Sequence, residues 1–273
     1  MKPQSIPELR LRHIEGRHNS LVKELRQTFA HGELTPSGNC AVDGLRVVEE
    51  AIRSGMHFAA VFFQESATNL AQRLLPQIGA QVETVVLPDK LFHSAVPSET
   101  PQGVAALVRI KQSSVEDVLK RVQSGPILVL AGLQDPGNLG TILRSAEAFG
   151  AAGVLLGEGT VSPYNSKAVR ASAGSIFRVA LARASLKPAL TQLREQGVRV
   201  LATSSHKGSP LAGATLGGKV AILIGSEGAG IPKQLTHAVD EVLIIPHAAQ
   251  VESLNAGVAA SIVLYEAARQ RRS

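Results

Sequence analysis

Three stretches of this 273-residue chain combine residue types that could hold and align a ligand. The apolar run 220–224 ends in Gly225-Ser226-Glu227-Gly228-Ala229-Gly230-Ile231-Pro232. A second run, 242–245, stops at Pro246 and gives way to a polar loop that reaches Ser253-Leu254-Asn255 and opens a small-residue helix. The third, Gln134-Asp135-Pro136-Gly137-Asn138, follows the run 127–130 and leads into a helix carrying Arg144. Glycines let a backbone approach a ligand closely, and strand ends leave amides and carbonyls unpaired. Ligands of open α/β sheets gather where strand carboxyl ends meet helix amino ends, so these loops predict a cradle built largely of backbone.

Several familiar chemistries fail on spacing. The stretch from Gly213 through Gly217-Gly218-Lys219 nearly fits a phosphate-binding P-loop, but Val220 stands where a hydroxyl should reach magnesium, and the loop precedes a strand instead of leaving one. Gly228-Ala229-Gly230 lacks the third glycine of a dinucleotide fingerprint, which also counts against the ordinary Rossmann methyltransferase. Ser226 is not in a Gly-x-Ser-x-Gly elbow. His206, His237 and His247 have no metal-ligand spacing to cysteine or carboxylates, so no metal is expected. Taken one at a time, the glycine stretch also reads as a tight turn before Pro232, and Ser253-Leu254-Asn255 as a helix cap.

The elements that must position these loops alternate between strand and helix. Residues 1–16 read as an irregular tail. Asn19-Ser20 caps a helix over 21–30, with Arg17, His18, Lys23 and Arg26 on its solvated side. A strand at 39–42 precedes a helix at 44–54 with Leu45, Val48 and Ile52 as its stripe. Further patterns give a strand at 58–63, a helix at 69–78, a strand at 82–87, a short helix capped by Asp89, and a strand at 103–110. His57 and His93 are isolated and read as structural or exposed. The polar stretch 111–124 reads as a connector. Beyond it come a strand at 127–130, a helix at 139–149 closed by Gly150, and a strand at 153–156. A short extended segment at 179–180, a helix at 186–196 and a strand at 198–202 then lead to Thr203-Ser204-Ser205-His206. Strands separated by helices imply a mainly parallel sheet. The domains predicted are 1–110, a linker at 111–124, and 125–273.

Composition narrows the class. The chain is 44% apolar, enough for buried cores, and its one cysteine, Cys40, excludes an internal disulfide and suits a reducing compartment. The opening 17 residues are polar and basic, unlike a signal peptide, and no apolar run approaches a membrane span, so a soluble cytoplasmic protein is expected. The net charge is +6, and most of the excess falls after residue 125, with the loops. That suits a polyanion such as RNA. At 3% aromatics, a stacking-platform RNA binder is disfavoured.

The combination of these loops resembles a known family. Asn138-Leu139-Gly140-Thr141-Ile142-Leu143-Arg144-Ser145-Ala146 is similar to the first signature of the SpoU (TrmH) branch of SPOUT-class RNA ribose 2′-O-methyltransferases. The stretch from Ile224 to Ile231 resembles the second, and Ile244-Ile245-Pro246 through Ser253-Leu254-Asn255 the third. Arg170-Ala171-Ser172-Ala173-Gly174 resembles a family segment between them. The N-terminal part resembles, more weakly, the L30e-like RNA-binding domain often found ahead of this catalytic domain. The loop His247-Ala248-Ala249-Gln250-Val251-Glu252 departs from the Met-rich or Gly-containing family pattern, and Ala180 stands where a proline is common.

The resemblance implies an α/β fold whose mainly parallel sheet carries a C-terminal trefoil knot, behind a smaller L30e-like α/β domain. It implies S-adenosylmethionine as cofactor, held by Thr203, Gly225, Glu227, Gly228, Ile245, Pro246, Ser253 and Leu254. Arg144, Asn138, Glu227 and Asn255 would be the catalytic set, in a homodimer. The leaving group in such a transfer is a neutral thioether, so the work left to the protein is alignment and removal of the hydroxyl proton. Alignment alone contributes roughly 7–11 kcal/mol for a well-placed pair. A guanidinium stays charged, so Arg144 is expected to clamp phosphate and orient the 2′-oxygen rather than act as base. Asn138 would position Arg144 or the ribose, Glu227 would brace the second loop, and Ser253 and Asn255 would shape the third. The leading RNA-binding domain leans towards ribosomal RNA over tRNA. Two other readings stay open: a non-enzymatic RNA- or ribosome-binding protein on the same fold, and an ATP-dependent enzyme built on the near P-loop.

Overall fold

The computed structural model describes residues 11–98, 101–228 and 230–272. The tail reading over residues 1–10, and Ala229 of the glycine turn, lie outside them. The chain forms two compact units. One runs to Lys111 and includes Ser162–Phe177; the other joins Gln112–Val161 to the chain from Arg178 onward.

The first unit is a five-stranded mixed sheet with helices packed on it. It contains β1 (Arg12–His13), α1 (Ser20–His31), β2 (Asn39–Asp43), α2 (Leu45–Arg53) and β3 (His57–Gln64). It continues through α3 (Asn69–Leu74), β4 (Glu83–Leu87), α4 (Asp89–Ala95) and β5 (Val104–Arg109). The strand order is β1-β4-β3-β5-β2; β1, β4 and β3 are parallel, and β5 is antiparallel to both its neighbours. Phe62, Phe63, Phe92, Leu25 and Leu107 are fully buried here.

Local chemistry explains where the elements start and stop. Asn19 caps α1, accepting from Leu21 N at 3.0 Å. The end of the expected tail is instead the edge strand β1, which buries Ile14 after it. The helix expected over 69–78 loses its α-pitch at Leu75, because Pro76 has no N–H to donate, and continues as a 3-10 turn. α2 turns Val47, Val48 and Ala51 inward, leaving Leu45 and Ile52 half-buried. The predicted stripe and the real one share Val48 and differ by a small rotation that periodicity alone does not separate. Asp89 is the first residue of α4 and not its cap; its carboxylate accepts from Ser66 N at 3.1 Å, which holds its pKa below the ordinary carboxylate value.

Cys40 lies fully buried in β2, and burial pushes its thiol up to about 12. Ellman's reagent at pH 8 is therefore expected to find no thiol in the native protein and one in guanidinium chloride. Because the fold favours the protonated thiol, this group's share of stability is intact below its ordinary pKa of 9.0 and declines as the pH climbs from there toward about 12.

The second unit is built on a seven-stranded sheet in which every pair is parallel. Its elements are α5 (Val115–Leu119), β6 (Ile127–Ala131), α6 (Pro136–Ala148) and β7 (Gly153–Leu156). After the segment holding α7 (Ser166–Ala171), which belongs to the first unit, come β8 (Leu181–Arg183), α8 (Leu186–Glu195) and β9 (Arg199–Ser204). β10 (Ser209–Pro210), β11 (Val220–Gly225), β12 (Glu241–Ile244) and α9 (Ala256–Arg272) complete it. The strand order is β10-β12-β9-β11-β6-β7-β8. Val129, Leu155, Val200 and Leu223 form one face of the sheet with Leu190 and Leu193 of α8. The stretch read as a connector adds Val118, Leu119 and Val122 to that core, after a capping box in which Ser114 and Asp117 bond each other's backbone N–H. The extended segment predicted at 179–180 appears two residues later, as β8.

The near P-loop is spent on the protein itself. Leu216 N donates to Gln270 Oε1 at 2.7 Å, and Gln270 Nε2 donates to Ala214 O at 2.8 Å, so α9 holds this loop's backbone groups.

Candidate active site

The site grows from four neighbouring parallel strands. β12, β9, β11 and β6 lie side by side, so their carboxyl ends open on one edge. In register, Gly225 sits opposite Ala131, and Ile244 opposite Ser204. The loops leaving β9, β11 and β12 enclose a cavity of about 650 Å³, within the range of ligand clefts. Gly225, Glu227 and Gly228 line it from the second loop, Ile245, Ser253, Leu254 and Asn255 from the third, and Thr203 from the end of β9. Pro246 does not; it borders an adjoining hollow of about 530 Å³.

The turn after β11 is closed by two reciprocal backbone bonds, Ser226 N to Gly230 O at 3.1 Å and Gly230 N to Ser226 O at 2.9 Å. Gly230 adopts a φ of 64°, which favours glycine. This short ring lifts Glu227 to the cavity rim.

Asn138 stands inside the first turn of α6 and not in the preceding loop. Asp135 caps that helix, accepting from Asn138 N at 2.7 Å, and Pro136 takes the first position, where a missing N–H costs nothing. The Asn138 side chain links the other two loops. Its Nδ2 donates to Glu227 Oε1, and its Oδ1 accepts from Asn255 Nδ2 at 2.8 Å. Asn255 in turn caps α9, its Oδ1 accepting from Gly257 N at 3.0 Å and Val258 N at 3.2 Å.

The direction of every bond in this chain follows from its end. Capping commits the Asn255 oxygen to backbone donors, so its amide must donate. Asn138 must then present its oxygen to Asn255 and its amide to Glu227, which accepts as a carboxylate. α6 and α9 are held close enough for this by small residues. A Cβ on Gly257 would come within 3.1 Å of Thr141 Cγ2, and the Ser145 and Ser261 hydroxyls meet at 2.6 Å.

A sharp consequence concerns Asn138→Asp. It would set a second carboxylate against Glu227, and two carboxylates at hydrogen-bond distance cannot both ionise cheaply. Asn138→Asp is expected to melt roughly 2–4 °C below Asn138→Ala at pH 8. A proton taken up between the two carboxylates would relieve the repulsion, so the gap should close towards pH 5. Thermal denaturation across that range checks it; equal melting at pH 8 would contradict the fixed polarity.

Arg144 is exposed on α6, about 9 Å further along the axis than Asn138. It does not line the cavity, and among the described residues it makes no hydrogen bond or ion pair. Asn138 bonds Glu227 and Asn255 and, among the described residues, makes no hydrogen bond to Arg144.

Some of the lining was not among the expected site residues. Ser205, His206, His247 and Glu252 all face the cavity. Ser205 and His206 directly follow β9, and His247 and Glu252 lie in the loop after β12; their signal was that placement, not their type. His247 Nδ1 donates to Ile245 O at 2.7 Å, which leaves Nε2 without a protein partner among the described residues. Glu227 and Glu252 are the formally charged residues of the lining, with no lysine or arginine among them, so the cavity favours a cation. Among the described residues, no group of three or more His, Cys, Asp or Glu could hold a metal ion, and no helix is long and apolar enough to cross a membrane.

Comparison with known proteins gives a consistent picture. Residues 125–265 match the SpoU rRNA Methylase family, and residues 19–106 the MRM3-like substrate binding domain. The 23S rRNA (guanosine(2553)-2′-O)-methyltransferase RlmP of Bacillus subtilis is 30% identical over 255 residues, covering 93% of this chain and 98% of that protein. The AdoMet-bound rRNA methyltransferase of Sinorhizobium meliloti superposes with a TM-score of 0.82 at 27% identity, covering 95% of this chain and 98% of that one. The SpoU methyltransferase AviRb of Streptomyces viridochromogenes, in complex with AdoMet, gives 0.80 at 25% identity, covering 93% and 99%.

Proposed function

Since the chain belongs to the SpoU rRNA methylase family, we propose that it methylates a ribose 2′-hydroxyl of RNA, 23S rRNA foremost, using S-adenosylmethionine in the cytoplasm. The observation that carries this reading is the Asn255–Asn138–Glu227 chain, which ties the first turn of α6 to the loops after β11 and β12 beside the cavity.

The residues fit the cofactor. The cavity has room for it, apolar walls in Ile224, Ile231 and Leu254, backbone at Gly225, and two carboxylates for a sulfonium and an ammonium. When bound, S-adenosylmethionine supplies an electrophilic methyl group. Glu227, held from one side by Asn138, would fix the second loop and face positive charge. Ser253, Leu254 and Thr203 would shape the wall through backbone groups. Arg144, free of protein partners among the described residues, would take an RNA phosphate and orient the ribose oxygen.

We also propose a homodimer through the exposed side of α6 and α9. Val258 and Tyr265 are 46% and 56% exposed there, and Tyr265 meets Phe149 edge-on with ring centroids 5.8 Å apart. Light scattering should give twice the chain mass, and Tyr265→Glu a single chain.

The decisive experiment pairs calorimetry with S-adenosylmethionine and tritiated-methyl transfer to 23S rRNA from cells lacking the gene. Binding followed by incorporation at one 2′-O position is the expected result. Absence of binding would favour a non-enzymatic RNA-binding protein instead.

A further inference from the structure

Outside the methyl-transfer cavity, the first unit holds a second concavity of about 570 Å³. Its walls come from three separate parts of the sequence: Asp43, Gly44 and Arg46 where β2 runs into α2, Ser98 and Gln102 before β5, and Arg170 of α7. Arg170 lies outside residues 19–106, the stretch matched to a substrate-binding domain.

The two arginines are set up differently. Arg170 uses one nitrogen, Nη1, for both Asp43 oxygens, at 3.0 and 3.3 Å. The Asp43 side chain is 8% exposed and Arg170 42%. A buried carboxylate thus braces a guanidinium whose Nε and Nη2 have no partner among the described residues. Arg46 is exposed and, among the described residues, has no hydrogen bond or ion pair. A merely structural ion pair would account for Arg170 and leave Arg46 and the concavity without a purpose.

The backbone behind Arg170 is strained into place. Ala173 has a φ of 49° and Gly174 a φ of 90°, and a Cβ at Gly174 would come within 2.6 Å of Glu50 Cβ on α2. A left-handed alanine is uncommon, and such strain clusters at functional positions. Here it presses the end of α7 against the helix that carries Arg46.

We propose that Arg46 and the Asp43-braced Arg170 form a phosphodiester subsite, and that the concavity between them takes the adjoining RNA nucleotide. Planar guanidinium forks match phosphate oxygens, and phosphate contacts set the register of a nucleic acid on a protein. The Gln102 amide, which already accepts from Leu45 N at 3.1 Å, and the Ser98 hydroxyl supply hydrogen-bonding groups for the nucleotide. The proposal rests on RNA being the substrate.

The test measures anisotropy of a fluorescein-labelled 20-nucleotide oligouridylate with the full-length protein at several KCl concentrations. Arg46→Gln removes an unpartnered exposed group, so its fold is safe. The pair Asp43→Asn with Arg170→Gln removes the brace and fork together, leaving no buried charge alone. Each is expected to weaken binding about three- to tenfold and to lower the salt slope by about 0.7 for each phosphate no longer neutralised. The Kd for S-adenosylmethionine should stay that of the wild type in both. Wild-type affinity and slope in both variants would overturn the subsite, as would a wild-type protein that does not hold the probe. Failure of methyl transfer to 23S rRNA would sink the enzymatic reading while leaving the anisotropy result standing.

Discussion

Replacing Gly225 with alanine is expected to weaken S-adenosylmethionine binding about 100-fold, or ~2.7 kcal/mol. Gly225 ends β11, where the chain turns back on itself. A Cβ there would lie 2.3 Å from the Gly230 carbonyl carbon, 2.4 Å from its oxygen and 2.6 Å from Ile231 N. All three are backbone atoms, so no side-chain rotation relieves the clash. The turn must open, which breaks the two bonds between Ser226 and Gly230; each contributes about 1 kcal/mol net. Glu227 then leaves the reach of Asn138. The strand itself should survive, since all its pairing to β6 and β9 except the Gly225–Ala131 pair lies upstream of the turn. Gly218→Ala, before the same strand, has open space around its Cβ and is expected to bind as the wild type does. Calorimetry on both variants, with circular dichroism for folding, decides. A folded Gly225→Ala protein with unchanged affinity would mean that this turn does not touch the cofactor.

What the sequence revealed follows the range of the forces involved. β6 and β11 were legible because strands buried on both faces read as unbroken apolar runs. α1 and α6 were legible from their caps and stripes, although Pro136 and Asp135 place the start of α6 three residues earlier than the stripe suggests. The two-residue strands β1 and β10 have no pattern of their own and exist because a neighbouring strand edge accepts them. The docking of α7 on the first unit depends on Arg170 meeting Asp43 across 127 positions, which no local periodicity encodes. At the site, the three ordered signatures were readable one by one. Their connection was not, because Asn138 reaches Glu227 across 89 positions and Asn255 across 117. Those two bonds direct the Asn138 amide to Glu227 and Asn255, and none runs to Arg144 among the described residues.

Arg144→Ala is expected to lower kcat for methyl transfer by about 10²–10³, the usual cost of removing one preorganised group that meets charge or orients the reacting atom. The variant should be clean. Arg144 is exposed and, among the described residues, carries no hydrogen bond or ion pair, so nothing in the fold loses a partner. It does not line the cavity, so S-adenosylmethionine should bind with wild-type affinity. The whole loss should therefore sit in the step that needs RNA. Arg144→Lys sharpens the assignment. It keeps the charge but not the planar fork, so it should restore RNA affinity more fully than turnover if orientation of the ribose is the residue's task. Single-turnover methyl transfer at saturating 23S rRNA, with the pH held constant, separates the two. If lysine restored turnover completely, Arg144 would be acting as a point charge that attracts RNA. If alanine kept full turnover, the ribose would have to be aligned by other groups, and His247 at the cavity wall would be the next residue to replace.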